Sequence, residues 1–240
     1  MEVLIGHGLC DIIIESSVEF QRAEIESIVW RIAGENVYVG YMNVKQDEHL
    51  SKNQEEEIRC GDNGIFKGVP LTYNEKKISA IARDIYDRWP YDGKYILTDE
   101  KLIICQSNAK SEDLLKETIG LATQIRINPL GEWTGGPDVD TGATNRKLGS
   151  DMAQSVTGGG LHGKDLSKAD VSVNIYAFQK AQETGKTITA SCAIGDNYID
   201  FETEGEAEVQ RVPYSQVVEK AREYIKEKGG FEKFAEWGLF

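Results

Sequence analysis

Residues 94–106 read KYILTDEKLIICQ, and this stretch gives the strongest indication of the fold. Two runs of high β propensity, KYIL and KLIICQ, flank the polar residues Thr98-Asp99-Glu100, so the segment is typical of a β-hairpin. A helix is predicted to follow, because apolar residues then recur at helical spacing. Those residues are Leu114, Leu115, Ile119 and Leu121.

The same order of hairpin and helix occurs in two other parts of the chain. Residues 2–19 contain the runs EVLIG and DIIIESSVEF, and residues 187–227 contain TITASCAI and YIDFET around the turn-forming Gly195-Asp196-Asn197. Each pair of runs precedes a stripe of apolar residues at helical spacing. The stripes are Ile25, Ile28, Val29 and Ile32 in the first part, and Val217, Val218, Ala221 and Ile225 in the second.

These repeats predict an α+β fold. An isolated hairpin needs a covering helix to bury one face, so three hairpin-plus-helix units suggest three related lobes. The alternative is coincidence, because such units are common in proteins. The first lobe would take residues 1–72 and part of 73–90, the second 91–130, and the third 131–240 with candidate phosphate-binding loops. Further strands and helices that would complete the lobes are predicted at 36–44, 74–88 and 168–182.

The composition excludes several classes of protein. The 240 residues are 40% hydrophobic and 28% charged, which fits a globular protein. No apolar run approaches the roughly 18 residues of a membrane-spanning helix, and the first residues lack the basic flank of a secretion signal. A net charge of -13 argues against nucleic-acid binding. The four cysteines are widely spaced without a C-x-x-C pair, so we expect no zinc site and a reducing cytoplasm.

A Gly-rich stretch, GGGLHGKD at 158–165, nearly matches the P-loop pattern G-x-x-x-x-G-K-[ST]. Asp165 stands where the hydroxyl is required, and DMAQSVT before it does not read as a buried strand, so a Walker-type NTPase is disfavoured. Glycines still allow backbone N–H groups to approach an anion, and a helix is predicted to begin near residue 167. Lys164 and Lys168 are therefore candidate phosphate ligands. Asp170 can be a capping-box carboxylate three residues after Ser167.

Two further Gly-rich loops contain charged residues. In the stretch 135–147, the adjacent Arg146 and Lys147 can clamp an oligophosphate, and Asp140 can accept from a ribose hydroxyl or an ammonium group. A polar turn with incidental charges is the alternative. The loop CGDNG at 60–64 by itself predicts only a tight turn.

Taken in order, these loops resemble the S-adenosylmethionine synthetase (methionine adenosyltransferase) family. The chain has CGDNG, VPLT, GGPDVDTGATNRK and GGGLHGKDLSKAD. The family shows A-G-D-Q-G, M-P-L-T, G-G-P-x-G-D-x-G-x-T-x-R-K and G-G-G-A-F-S-G-K-D-x-x-K-V-D, over most of the chain. The resemblance implies three similar α+β lobes in a pseudo-threefold arrangement, and active sites between the subunits of a homodimer or dimer of dimers.

The resemblance also implies a reaction. The methionine sulfur attacks C5′ of ATP, and the triphosphate leaves. The implied cofactor is Mg²⁺, and K⁺ is a further candidate. The implied catalytic residues are Lys164, Arg146 and Asp140. Other residues gain implied roles as follows: Lys94, Arg146, Lys147, Lys164 and Lys168 on phosphate, Asp92 beside Lys94 in the family's D-x-K, Trp133 on adenine, Asp62 and Gln46 at methionine, Ile194 near adenine, and Asp170 on magnesium.

The chain also departs from the family. Family members open with a G-H-P-D-K segment, whose His helps to cleave the triphosphate. This segment has no counterpart in this sequence, because Met1 aligns with a position after it. His7 lacks the following Pro-Asp-Lys and is interpreted as an ordinary strand or edge residue, and a family Glu falls at Gly6. We therefore expect slower or absent triphosphate hydrolysis. Two other functions stay open: a nucleotide-binding subunit that depends on a partner chain, and adenosyl transfer to another nucleophile.

Overall fold

The computed structural model describes residues 2–53, 55–135, 155–157, 169–237 and 239. Within these ranges the protein is mixed α+β and contains three small sheets. The strands are β1 Glu2–Gly6, β2 Leu9–Ser16, β3 Tyr38–Lys45, β4 Gly64–Gly68, β5 Gly93–Leu97, β6 Lys101–Gln106, β7 Gln124–Ile127, β8 Ser155–Thr157, β9 Ile188–Cys192, β10 Tyr198–Thr203 and β11 Val209–Pro213. The helices are α1 Arg22–Ala33, α2 Glu48–Lys52, α3 Tyr73–Tyr86, α4 Ser111–Thr118, α5 Ala169–Thr184, α6 Tyr214–Glu227 and α7 Phe231–Trp237.

Sheet I has the order β1-β2-β3. β1 and β2 form the predicted hairpin, while β3 runs parallel to β2 after the crossover through α1. The hairpin turn is His7-Gly8, with φ of 51° and 76°. The interpretation of His7 as a strand residue is therefore wrong, because two left-handed residues make the tight turn that joins twisted strands.

Sheet II has the order β7-β6-β5-β8. Its hairpin β5–β6 is followed by α4 and then by β7, which runs parallel to β6, so sheets I and II share one chain topology. Helices α3 and α4 cover the inner face, where Leu102, Ile104 and Leu114 are fully buried. This core supports the beginning of β5, where the predicted D-x-K residues lie.

Sheet III has the order β11-β10-β9-β4 and is antiparallel throughout. Its hairpin β9–β10 continues directly into β11 before α6 begins, so its connection differs from that of sheets I and II. Helix α5 packs closely on β4 at Gly68, where a Cβ atom would collide with the backbone of Ala177. Ile188, Phe201 and Val217 lie in the core between this sheet and its helices.

The α+β class is confirmed, and each predicted hairpin is followed by a helix. The pseudo-threefold arrangement stays a prediction. Two strands pair outside the lobes suggested by the sequence, since β4 joins sheet III and β8 joins sheet II. In the described part of the chain, no helix combines the length and the apolarity needed to cross a membrane.

The apolar stripes of two helices differ from the prediction. Helix α4 ends at Thr118, and Ile119 beyond it is 74% exposed. Gly120 follows with φ of 86°, a conformation that does not continue a helix. In α1 only Val29 is buried, while Ile28 and Ile32 face outward. Helical spacing predicted the helices but not how many of their apolar residues would be covered.

Candidate functional site

The Gly-rich loop at 158–168 lies between a strand and a helix. β8 ends at Thr157, immediately before the loop, and α5 is described from Ala169, immediately after it. The expectation that no strand precedes the loop is therefore wrong. Because β8 is only three residues long and pairs at a sheet edge, it leaves no apolar pattern in the sequence. Asp165 still departs from the P-loop pattern, so the objection to a Walker-type site stands.

The pairing of β8 with β5 brings Lys94 to the beginning of this loop. Lys94 lies directly opposite Thr157 in the antiparallel register, and its side chain is on the exposed face of β5. The following residue, Tyr95, points into the core and is almost fully buried. Alternation along β5 thus sets the Lys94 ammonium group on the open face, opposite Thr157, the last described residue before the loop.

The turn before β5 is held by the buried amide of Gln106. Its Nε2 donates to the carbonyl oxygens of Trp89 and Tyr91, both at 3.2 Å, and its Oε1 accepts from the Tyr95 hydroxyl. Asn128 completes the network, because its Oδ1 accepts from the backbone N–H of Gln106 at 2.8 Å. A polar network with all partners satisfied fixes the geometry of the turn.

Asn108, which follows β6, joins the segment 133–135 to the part of sheet II where β5 begins. The backbone N–H of Asn108 donates to the carbonyl of Trp133, and its Nδ2 donates to the carbonyl of Gly135, both at 2.9 Å. Gly135 packs so closely that a Cβ atom there would lie 2.9 Å from Oδ2 of Asp92. The structure therefore sets the segment of Trp133 beside Asp92, two residues before Lys94 on the chain. We call Asp92, Lys94 and Trp133 the sheet II cluster.

The Trp133 side chain leaves a ring surface accessible. The residue is 39% exposed although its carbonyl is held by Asn108. Such a partly open indole can stack on a flat base. Lys94 and Trp133 thus offer a cation and an aromatic face on adjoining segments.

Asp62 belongs to a second group of residues, at the end of sheet III. Its carboxylate accepts from the backbone N–H of Asn63 at 2.8 Å, and the Asn63 side chain accepts from the backbone N–H of Ile194 at the same distance. The Cys60 backbone also pairs with Gly195 and Asp196. We call these residues the sheet III turn. It unites Asp62 and Ile194, two positions to which the family resemblance gives roles at methionine and near adenine.

Gln46 lies in a different place, after β3. Its backbone N–H donates to the carbonyl of Ser16 at 3.1 Å. Helix α2 follows, and Asn53 at its end donates through Nδ2 to the carbonyl of Cys60 at 3.1 Å. Gln46 is therefore separated from the sheet III turn by one short helix.

Two thiols meet beneath the sheet III turn. The pKa of the Cys60 thiol is lowered, mainly by a hydrogen bond with Cys192. The same hydrogen bond, together with burial, raises the pKa of the Cys192 thiol. Cys60 is completely buried and Cys192 is half-buried. Neither cysteine was predicted to have a partner, because 132 positions in the sequence separate them.

Five predicted site residues lie outside the described residues: Asp140, Arg146, Lys147, Lys164 and Lys168. Asp170 is in the first turn of α5. In the described ranges, no three His, Cys, Asp or Glu side chains cluster as a metal site. Magnesium commonly takes one or two protein carboxylates and completes its shell with phosphate oxygens and water, so a single Asp170 suits it chemically.

Sequence reasoning missed the residues that position the sheet II cluster. Gln106, the last residue of β6, and the following Ser107 and Asn108 are three consecutive polar residues, and Gln106 and Ser107 are fully buried. Buried polar side chains at a strand end commonly hold a loop. That pattern was visible in the sequence, but their partners at Trp89 and Gly135 were not.

No model of a known protein family matches the chain, and no curated protein matches it. The functional argument therefore rests on the motifs and on the geometry described above. At the sheet II cluster, residues from two of the motifs lie on segments that the structure joins.

Proposed function

We propose that the protein makes S-adenosylmethionine from ATP and L-methionine. The observation that supports this most directly is the pairing of β5 with β8, because it sets Lys94 at the start of the loop that contains Lys164 and Lys168. A cation next to a Gly-rich loop before a helix suits the phosphate chain of ATP. Trp133 beside it suits the adenine ring.

In this proposal the protein acts by position and charge. The methionine sulfur attacks C5′ in line, the C5′–oxygen bond breaks, and the triphosphate leaves with its electron pair. Lys94, Lys164 and Lys168 neutralise the charge that grows on the leaving triphosphate, together with Arg146 and Lys147. Asp62 and Gln46 orient methionine, and Asp140 fixes the adenosine end, so that sulfur and carbon meet at attack distance.

Asp170 is the proposed protein ligand of Mg²⁺, which when bound supplies further positive charge to the phosphate oxygens. Residue 170 lies in the first turn of α5, and in the sequence it closely follows the Gly-rich loop. A cytoplasmic location is part of the proposal, because all four cysteines are free thiols.

We also propose that two copies of the chain assemble. Among the described residues, none covers one face of sheet I, and apolar side chains project from this face on all three strands. They are Leu4, Leu9, Ile13, Tyr38, Met42 and Val44. A second copy that covers this face would remove a large apolar surface from water.

The test is product formation. Purified protein is incubated with ATP, methionine and Mg²⁺, and S-adenosylmethionine is measured by mass spectrometry. Lys94→Ala should lower kcat/KM about 100-fold, or roughly 3 kcal/mol, the range for losing one oriented charge donor. Lys101→Ala is the matched control, since Lys101 lies on the same sheet at the opposite end of the hairpin.

The outcomes separate the proposal from its competitors. Product that falls in Lys94→Ala and persists in Lys101→Ala supports it. ATP binding by calorimetry without any sulfonium product would instead favour the nucleotide-binding subunit. Release of triphosphate only when another thiol or thioether is offered would favour adenosyl transfer to a different nucleophile.

A further inference from the structure

Cys60 and Cys192 come from segments far apart in the chain, and both thiols contact the carbonyl oxygen of Asp62. Cys60 lies in the loop before β4, Cys192 is the last residue of β9, and these strands pair with Gly64 opposite Cys192. The Cys60 thiol donates to the carbonyl oxygen of Asp62 at 3.1 Å, and the Cys192 thiol contacts the same oxygen at 3.7 Å. Both sulfur atoms therefore lie side by side under the Asp62 turn.

The surroundings shift the pKa values of the two thiols in opposite directions. The Cys192 thiol hydrogen-bonds to Cys60 and so favours the Cys60 thiolate, which lowers the pKa of Cys60. The carboxylates of Asp196 and Asp62 act in the opposite direction on Cys60, as does burial. A thiolate is the form that reacts with oxidants. Cys60 is completely buried and Cys192 beside it is partly exposed, so only a small oxidant arriving on the side of Cys192 would reach the pair.

We propose that Cys60 and Cys192 are a reversible oxidation site, which closes to an intramolecular disulfide on reaction with a small peroxide. The Cys60 thiolate attacks one oxygen of hydrogen peroxide, the O–O bond breaks, and the leaving hydroxide takes a proton to become water. Cys60 is then a sulfenic acid. Cys192 attacks that sulfur, the S–S bond forms, and a second water leaves.

The electrons balance in this sequence. Each cysteine sulfur gives up one electron, and the peroxide is reduced to two waters. A dithiol reductant reverses the change by thiol–disulfide exchange and becomes a disulfide itself.

The other two cysteines provide internal controls. Cys10 is buried in sheet I, where burial and then Asp11 raise the pKa of its thiol. Cys105 lies on β6 in sheet II, opposite Lys94. These cysteines are therefore on other sheets, away from the sheet III turn.

Disulfide formation would act on the turn that holds Asp62. It removes the Cys60 S–H donor from the Asp62 carbonyl, while the Cys60 backbone stays bonded to Gly195 and Asp196. The turn must then change shape between these two anchors. If the proposed function is correct, on which this step alone rests, the oxidised protein should show a several-fold higher KM for methionine.

The experiment uses the full-length protein and does not depend on activity. Reduced protein is treated with hydrogen peroxide, denatured, alkylated and digested, and the peptides are identified by mass spectrometry. We expect one disulfide-linked peptide pair, Cys60 with Cys192, with Cys10 and Cys105 alkylated. Dithiothreitol before alkylation should restore four alkylated cysteines.

Single variants make the assignment specific. Cys192→Ser, at a half-buried position, should abolish the linked pair while keeping the fold, and Cys105→Ser should leave it intact. Alkylation of all four cysteines after peroxide, a different pairing, or links between chains would overturn the proposal. If the Cys60–Cys192 disulfide forms in a protein without synthetase activity, the oxidation site is supported and the proposed function is contradicted.

Discussion

Gln106 shows how one buried amide can position a site without touching a ligand. Its side chain holds the carbonyls of Trp89 and Tyr91 and accepts from Tyr95, so it sets the entry into β5 and thereby the position of Lys94. The same residue excludes a side chain at position 93, where a Cβ atom would collide with the Tyr95 hydroxyl and the Gln106 amide. Gly93 and Gln106 are thus parts of one packing arrangement.

We predict that Gln106→Leu destabilises the protein by about 1–3 kcal/mol, the usual cost of leaving buried polar groups without partners. The Trp89 and Tyr91 carbonyls and the Tyr95 hydroxyl would lose this partner together. Urea unfolding followed by circular dichroism measures the change. Gln124→Leu, at an exposed position of β7, should alter stability by less than about 0.5 kcal/mol; equal effects of the two substitutions would contradict the role of Gln106.

Asp92, Lys94 and Trp133 were singled out in the sequence through the resemblance to the family's motifs. The structure joins the segment of Trp133 to the entry of β5, and their role at a site stays a prediction. The partnership of Cys60 with Cys192 and of Asn63 with Ile194 could not be predicted, because each joins residues more than 100 positions apart through a tertiary contact. Local patterns contain no information on such pairs.

Helix α3 has the best-defined start among the described helices. The Thr72 hydroxyl accepts from the backbone N–H of Glu75, and the Glu75 carboxylate accepts from the backbone N–H of Thr72, so the two residues form a capping box. Glu75 is buried, which limits competition from water. Through its contact with β5, α3 supports the same strand that positions Lys94.

We therefore expect Thr72→Ala to lower the free energy of unfolding by about 1 kcal/mol, because the helix loses a capping oxygen. Thermal and urea unfolding of the variant would measure the loss. Lys76→Ala provides the comparison within the same helix, since Lys76 is exposed and outside the cap, and its effect should stay within about 0.5 kcal/mol. A stability of Thr72→Ala equal to that of the parent would show that Glu75 alone is sufficient.

Hairpins were predictable and long-range strand pairs were not. The β5–β6 hairpin was correctly predicted because strand alternation and the Thr98–Glu100 turn are local signals. The pairing of β4 with β9 joins residues 64–68 to residues 188–192, and that of β5 with β8 depends on a strand of three residues. Burial of α1 was overestimated for the same reason, since the sequence does not show which neighbours cover a helix.

The assembly of two chains can be tested at the uncovered face of sheet I. Ile13 and Met42 are directly opposite each other on β2 and β3, and they are 43% and 58% exposed. If a second copy covers this face, Ile13→Asp should weaken the dimer at least tenfold, or about 1.4 kcal/mol, because a carboxylate would be buried without a partner.

Light scattering during size exclusion, over a range of protein concentrations, measures this change. Ile32→Asp is the control, because Ile32 is an exposed isoleucine of α1 that is not on this sheet face. A parent protein that is monomeric at all concentrations, or equal dimerisation of both variants, would contradict the proposed assembly.

The placement of β4 inside sheet III affects how the protein matures on the ribosome. Translation produces residues 64–68 more than 100 codons before their partner strand β9 emerges. Until then the edge of β4 stays unpaired and the turn at Asp62 lacks its contacts with Ile194 and Gly195. A nascent chain that has already folded sheets I and II should therefore still lack the sheet III turn, which forms only when the β9–β10 hairpin has left the exit tunnel.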